Sequence, residues 1–248
     1  MLECVSAYVE IAPPPALRPF VECLWAHRID GPPPEEGRRL LPSGRVDLVW
    51  VGGFGVRVSG PQSRYTRPLD LPRMLAFGAR FYPGAAPYLL RTPATELVDR
   101  HVALDAIDPQ LAGRLDDRLG DARDAGEALA AFGAELERRL RTAAPPPPAV
   151  REAVRMLDDG TATVAETAAR TFVSERALQR RFAHDVGYGP KVLQRVLRFQ
   201  RFMRELAAPR VELARAALLA GYADQSHLSR ETRRLAGLSP RQLTYWQH

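Results

Sequence analysis

The sequence predicts an α+β protein in two parts, a mostly β N-terminal domain and an all-helical C-terminal domain. Three observations carry this prediction. Short β-branched and aromatic runs broken by Gly and Pro fill the first part, as in "RVDLVWVGGFGVRVSG" (45–60) and "RMLAFGARFY" (73–82), the pattern of strands and tight turns. Four consecutive prolines, Pro145–Pro148, interrupt the chain within "RTAAPPPPAV" and favour a stiff extended spacer. Beyond them a helical pattern occurs twice, at 163–190 and again at 212–240. The expected boundaries are 1–142 for the first domain, 143–149 for the linker and 150–248 for the second domain.

In the first domain, "CVSAYVEI" and "FVECLWAHRI" are strand or short-helix candidates, and 45–60 reads as a hairpin. The glycines of that hairpin precede no helix, so it is not a phosphate loop. Before the prolines, "DAGEALAAFGAELERRLRT" (124–142) places Leu129, Phe132, Leu136 and Leu140 at helical spacing. Two readings stay open for it: a helix packed on its own domain, or an amphipathic helix that pairs with a second copy.

Charge is unevenly spread. Residues 149–248 hold 17 Lys+Arg against 10 Asp+Glu, whereas residues 1–148 hold 18 against 19. The net charge of +6 thus belongs to the C-terminal part, which points to a polyanionic partner. Two cysteines, Cys4 and Cys23, are too few for a disulfide framework and are expected to be reduced and buried. The N-terminus lacks the pattern of a secretory signal. No stretch approaches the ~18 apolar residues of a membrane span, so a cytoplasmic location without membrane contact is expected.

The repeat is the most informative feature. "TVAETAARTFVSERALQRRFAHDVGYGP" and "ELARAALLAGYADQSHLSRETRRLAGLSP" each run from a short Ala-rich helix through a turn to an N-cap, Ser174 or Asp224. Each then ends in Gly-x-x-Pro, with Gly187 and Gly237 fifty residues apart. The small residues Ala165, Ala168 and Ala169, then Ala214, Ala216 and Ala217, are suited to close helix crossing, which a helix-turn-helix needs. In such a unit the second helix enters the major groove. At 174–185, Leu178, Phe182 and Val186 are expected to face inward. At 224–236 only Leu228 and Leu235 are large and apolar, and polar residues take the other side. The candidate DNA-contacting set is therefore Ser174, Glu175, Arg176, Gln179 and Arg180, with Asp224, Gln225, Ser226, His227, Ser229, Arg230 and Arg233. Arg, Gln, Ser and His side chains match the donor and acceptor patterns of base edges. Between the units, "PKVLQRVLRFQRFMREL" sets Val192, Val196, Phe199, Met203 and Leu206 on one stripe, with Arg195, Arg198, Arg201 and Arg204 off it as phosphate candidates.

The elements "TVAETAAR", "VSERALQRRF", "GYGPK", "GYADQSHLSR" and "RRLAGLSPRQ" make the block from about 150 to 246 resemble the DNA-binding domain of AraC/XylS-type transcriptional regulators. The resemblance implies a bacterial regulator, activator or repressor, with two helix-turn-helix subdomains joined by a long helix. It implies a double-stranded DNA operator, a homodimer, a small-molecule effector and RNA polymerase as partners. It also implies a cupin-like sensing and dimerising domain in front. Three residues depart from the family pattern. Thr232 stands where Phe is usual, Leu228 where an aromatic is common, and Phe172 where a turn Gly is usual. Looser packing of the second subdomain is the expectation they raise.

Catalysis is not expected. The first domain has only His27 and His101, in separate segments, whereas a metal centre needs clustered His and carboxylate ligands. Ser43 in "LPSGR" lacks the nucleophile-elbow spacing. No cofactor or metal is expected. Candidate pocket residues are Arg45, Trp50, Arg80 and Tyr82, with Trp25, Phe54, Phe77 and Phe81 as further aromatic lining. A domain that only dimerises or binds a protein partner is the alternative.

Overall fold

Alternation in the N-terminal strands decides which side of a single sheet each residue faces. The computed structural model describes residues 5–31, 39–67, 73–160, 162–208 and 211–245, so Cys4 lies outside the described residues. Strands β1 (Val5–Ile11), β2 (Val21–Asp30), β3 (Val46–Val51), β4 (Gly55–Ser59), β5 (Arg73–Phe81) and β6 (His101–Ala103) form one antiparallel sheet in the order β1-β2-β5-β3-β4-β6. Both open candidates, at 4–11 and 20–29, are strands, and 45–60 is the β3–β4 hairpin, turned at Gly53 and Gly55 with positive φ. Helix α1 (Ala86–Leu90) precedes β6; α2 (Pro109–Gly120) and α3 (Ala125–Leu140) follow it.

Directly paired residues share a face. Trp25 pairs with Gly78, Gly78 with Val49, and Val49 with Arg57, so this row lies on one side. The other side presents Leu24, Leu48, Val58, Ala79 and Phe81, which pack with Leu111, Leu115, Phe132 and Leu136 of α2 and α3 into the first core. Helix α3 thus spends Leu129, Phe132 and Leu136 on its own domain, which decides between its two readings. Glu135 is fully buried on the same helix and accepts from Arg114 Nε (2.6 Å) and Arg138 Nη2 (2.5 Å). Burial alone would raise its carboxyl; Arg138 and Arg114 outweigh burial and hold it below its ordinary value.

Helix α4 opens at Pro148 and runs to Asp158, since proline is tolerated at the first helical position. After it come α5 (Val164–Arg170), α6 (Glu175–Val186), α7 (Pro190–Ala207), α8 (Leu213–Leu219), α9 (Gln225–Ala236) and α10 (Pro240–Tyr245). A capping box fixes the start of α5: Thr163 Oγ1 accepts from Glu166 N, and the Glu166 carboxylate accepts from Thr163 N. The second core gathers on α7, which buries Leu193, Val196, Leu197, Phe199, Phe202 and Leu206. That is wider than the expected single stripe. Val192 and Met203 are only partly buried, because α7 is packed from several sides at once, by α4, α6, α8 and α9. Among the described residues no helix is long and apolar enough to cross a membrane.

The Glu135 cluster yields a pH prediction. A carboxyl held below its unfolded value stabilises the fold above the unfolded pKa, and this contribution is lost as pH falls through the folded value. Urea unfolding of Glu135→Gln is therefore expected to show a flatter loss of stability than wild type below about pH 4, near the free glutamate range. Parallel acid limbs would show that Glu135 does not carry that loss.

Candidate nucleic-acid interface

Helices α6 and α9 start in the same way. Ser174 Oγ accepts from Ala177 N (3.2 Å), and Asp224 Oδ1 accepts from His227 N (2.7 Å). Each side chain satisfies an amide that the first helical turn leaves without a partner. Backbone hydrogen bonding holds the Asp224 carboxyl below its ordinary value. Both helices end at a left-handed glycine, Gly187 and Gly237. Inside, Leu178, Phe182 and Val186 of α6 and Leu228 and Leu235 of α9 are buried.

The outward sets remain outward. Glu175, Arg176, Gln179 and Arg180 on α6 are exposed, as are Gln225, Ser226, Arg230 and Arg233 on α9; Ser229 is half-buried. His227 is different. Its ring lies edge-on to Tyr222, with Nε2 3.2 Å from Arg198 Nη1 and 3.4 Å from Glu231 Oε1. Arg198 and Arg201 also turn to the protein: Arg198 reaches Glu231 (3.7 Å), and Arg201 donates to the Asp158 carbonyl. Among the small residues, Ala168, Ala216 and Ala217 are buried at the helix crossings, while Ala165, Ala169 and Ala214 are exposed.

Residues 167–244 match the family model described as a helix-turn-helix domain. The C-terminal part is thus a helix-turn-helix domain. Residues 9–103 match a domain of unknown function (DUF6597). Among solved structures, the chain is similar to the C-terminal domain of AraT, a response regulator from Geobacillus stearothermophilus, at 22% identity over 40% of this chain and 85% of that one, with a TM-score of 0.37. It is also similar to a probable AraC family transcriptional regulator from Rhodopseudomonas palustris, at 24% identity over 40% and 96% of the two chains, with a TM-score of 0.35. ToxT from Vibrio cholerae matches over 98% of this chain and 97% of its own at 8% identity, with a TM-score of 0.48. No curated protein matches the chain.

The helix-turn-helix domain is closed despite its departures from the AraC/XylS-type pattern. Thr232 and Leu228 are both fully packed, and the Thr232 hydroxyl donates to the Ser229 carbonyl (3.3 Å). Phe172 makes the turn of the first unit with φ +57°, and its side chain is 96% exposed. Gly221 makes the matching turn of the second unit, with φ +86°. The corresponding bonds are Val173 N to Ala168 O and Tyr222 N to Ala217 O, both 3.0 Å.

Sequence reasoning missed how the N-terminal domain grips this domain. A Cβ at Gly187 would lie 2.7 Å from Val98 and 2.9 Å from Pro61, and one at Gly237 would meet the Tyr65 ring. Tyr65 N donates to Leu235 O (2.6 Å), Arg39 Nη1 to Ala236 O (3.1 Å), and Tyr88 Oη to the buried Asp185 (3.0 Å). The C-terminal ends of α6 and α9 are held, and their N-terminal halves are open. Only the glycines themselves signalled these contacts in the sequence.

The four candidate pocket residues separate. Trp50 is a correction: it stacks on Phe77 (ring centroids 5.6 Å apart) on the side facing α2 and α3, because alternation in β3 sends Asp47, Val49 and Val51 the other way. Phe77 and Phe81 go into the same core. Arg45 and Tyr82 line a cleft between the domains, where Arg45 Nη2 donates to Glu22 (2.8 Å). Arg80 lies on the open sheet face with Trp25 and Phe54.

A left-handed backbone costs a non-glycine residue about 1–2 kcal/mol. Phe172→Gly is expected to raise stability by up to about 1 kcal/mol once the extra freedom of unfolded glycine is subtracted, read as a higher urea midpoint. Gly187→Ala should act in the opposite direction, because its Cβ also collides with Val98. A neutral result for both would contradict the backbone assignment.

Proposed function

We propose that this chain is a bacterial cytoplasmic transcription regulator that reads a specific double-stranded operator through α6 and α9, under control of a small molecule held on the open face of the N-terminal sheet. One observation carries the reading: two equivalently capped helices expose Arg, Gln and Ser at their N-terminal halves, and no described element covers either set. Such side chains discriminate base edges. Ser174 and Asp224 serve as caps in this reading, and His227 supports α9 from within. The base readers are Arg176, Gln179 and Arg180, with Gln225, Ser226, Ser229, Arg230 and Arg233. Activation or repression through RNA polymerase, and pairing of two copies on adjacent half-sites, belong to the same reading.

Ligand control is supported by chain path. Arg57, Ser59 and Arg67 line the sheet-face pocket, and Pro61 and Tyr65, between them, lie against Gly187 and Gly237. The stretch 59–67 therefore touches the pocket at its ends and both helix-turn-helix units in its middle.

Operators selected from a random DNA pool test the reading. Arg176→Ala and Arg230→Ala should each cost ~1–3 kcal/mol at one contacted base pair and relax preference there. Weakening by the same factor on every sequence would assign these arginines to phosphate. Absence of any selected sequence would overturn the reading.

A further inference from the structure

One face of the six-stranded sheet carries α2 and α3; the other holds a cavity of about 510 Å³. Its floor combines Ala76 with the Trp25 indole. Ala76 and Gly78 sit on the central strand β5, and the Trp25 indole lies so close over Gly78 that a Cβ there would collide with it. Trp25 Nε1 donates to Asp47 Oδ1 (3.1 Å), which fixes the indole flat. Val49, Val51 and Met74 extend the apolar surface, and Tyr8, Leu40 and Phe54 form an exposed apolar rim.

The two ends of this cavity differ in charge. At one end Arg80 is neutralised, since it donates to Asp47 (3.1 Å) and to Glu10 (2.9 Å). At the other end Arg57 donates to the His101 carbonyl (3.2 Å), and neither Arg57 nor Arg67 has a carboxylate partner among the described residues. Partial desolvation, with Arg57 adding to it, holds the His101 ring below its ordinary value. Two guanidinium groups that no described carboxylate neutralises thus stand beside an aromatic, apolar wall.

This chemistry selects among ligand classes. A polyol would leave hydroxyls unpaired against Val49, Val51 and Met74, which is costly. A cation would meet Arg57 and Arg67. A neutral hydrocarbon would use the wall and ignore the guanidinium groups. A carboxylate gains charge-assisted, bidentate bonds from arginine, and a flat apolar body gains from burial on Trp25. We propose that the open sheet face binds an apolar monocarboxylate, its carboxylate between Arg57 and Arg67 and its flat body on Ala76 against the Trp25 indole. The proposal rests on the reading of this face as the regulator's ligand site, and names the ligand class that site takes.

The test uses the full-length protein with 1-naphthoate and its neutral counterpart 1-naphthamide, followed by calorimetry and tryptophan fluorescence. Naphthoate is expected to bind about tenfold tighter or better, the size of one added charged hydrogen bond. In the double variant Arg57→Gln/Arg67→Gln that preference should vanish while naphthamide binding stays unchanged; both positions are outside the cores, and circular dichroism verifies the fold. Equal affinity for the two probes, or a preference retained by the double variant, overturns the carboxylate assignment and leaves the ligand-site reading standing. Binding of neither probe overturns both. None of these outcomes depends on operator binding.

Discussion

The stretch from Ser59 to Arg67 is the constraint on which the arrangement depends. It leaves the end of β4, passes Pro61 under Gly187, and reaches Tyr65, whose amide donates to the last turn of α9. It is anchored along the way. Gln62 is buried and donates to Ser59 Oγ (3.2 Å), and Ser63 donates through both its amide (2.7 Å) and its hydroxyl (2.6 Å) to Asp99. Asp99 N in turn donates to the Pro61 carbonyl (3.1 Å). Amides and carboxylates bonded in this way tolerate little displacement. The two helix-turn-helix units therefore meet one firm piece of the N-terminal domain, as well as the shared helix α7.

That geometry gives each glycine at the end of a recognition helix two functions. The left-handed conformation stops the helix, and the missing side chain lets Pro61 or Tyr65 approach. A residue with a Cβ would fail twice, through backbone strain and through collision. Helix α7 supplies the rest of the rigidity: at ~1.5 Å per residue its eighteen residues span roughly 27 Å, and its burial on several sides fixes the angle between the units. Orientation at the helix C-termini and freedom at their N-terminal halves are consistent with one another, since most of the proposed base readers lie in the N-terminal halves.

Legibility in the sequence follows the range of the interactions. Caps and stops are local, so Ser174, Asp224, Gly187 and Gly237 disclosed both recognition helices and their ends, and the alternating run at 45–60 disclosed a hairpin. The inward set of α6 followed from helical spacing. The faces of the sheet did not follow, because alternation separates two sets of residues without saying which set the helices cover. Trp50 and Phe77 were thus expected in a pocket and lie in the core, while Arg80, on the other set, lines the cavity. Helix α7 was expected to bury one stripe, but neighbours from distant parts of the chain bury Leu193, Leu197 and Phe202 as well. His227 reads as a base reader by position; its contact with Arg198 of α7 joins residues that the sequence keeps far apart. The 59–67 stretch escaped notice for the same reason, since Asp99 and the helix ends it joins are distant in sequence.

The proposed function requires α6 and α9 to be held so that they read one duplex together. Missing-base interference on a selected operator measures this most directly. Two separated clusters of essential bases are expected on one face of the DNA, about 10 base pairs apart, the spacing of successive major grooves, with the first lost in an α6 variant and the second in an α9 variant. A single cluster, unaltered when either helix is changed, would contradict it.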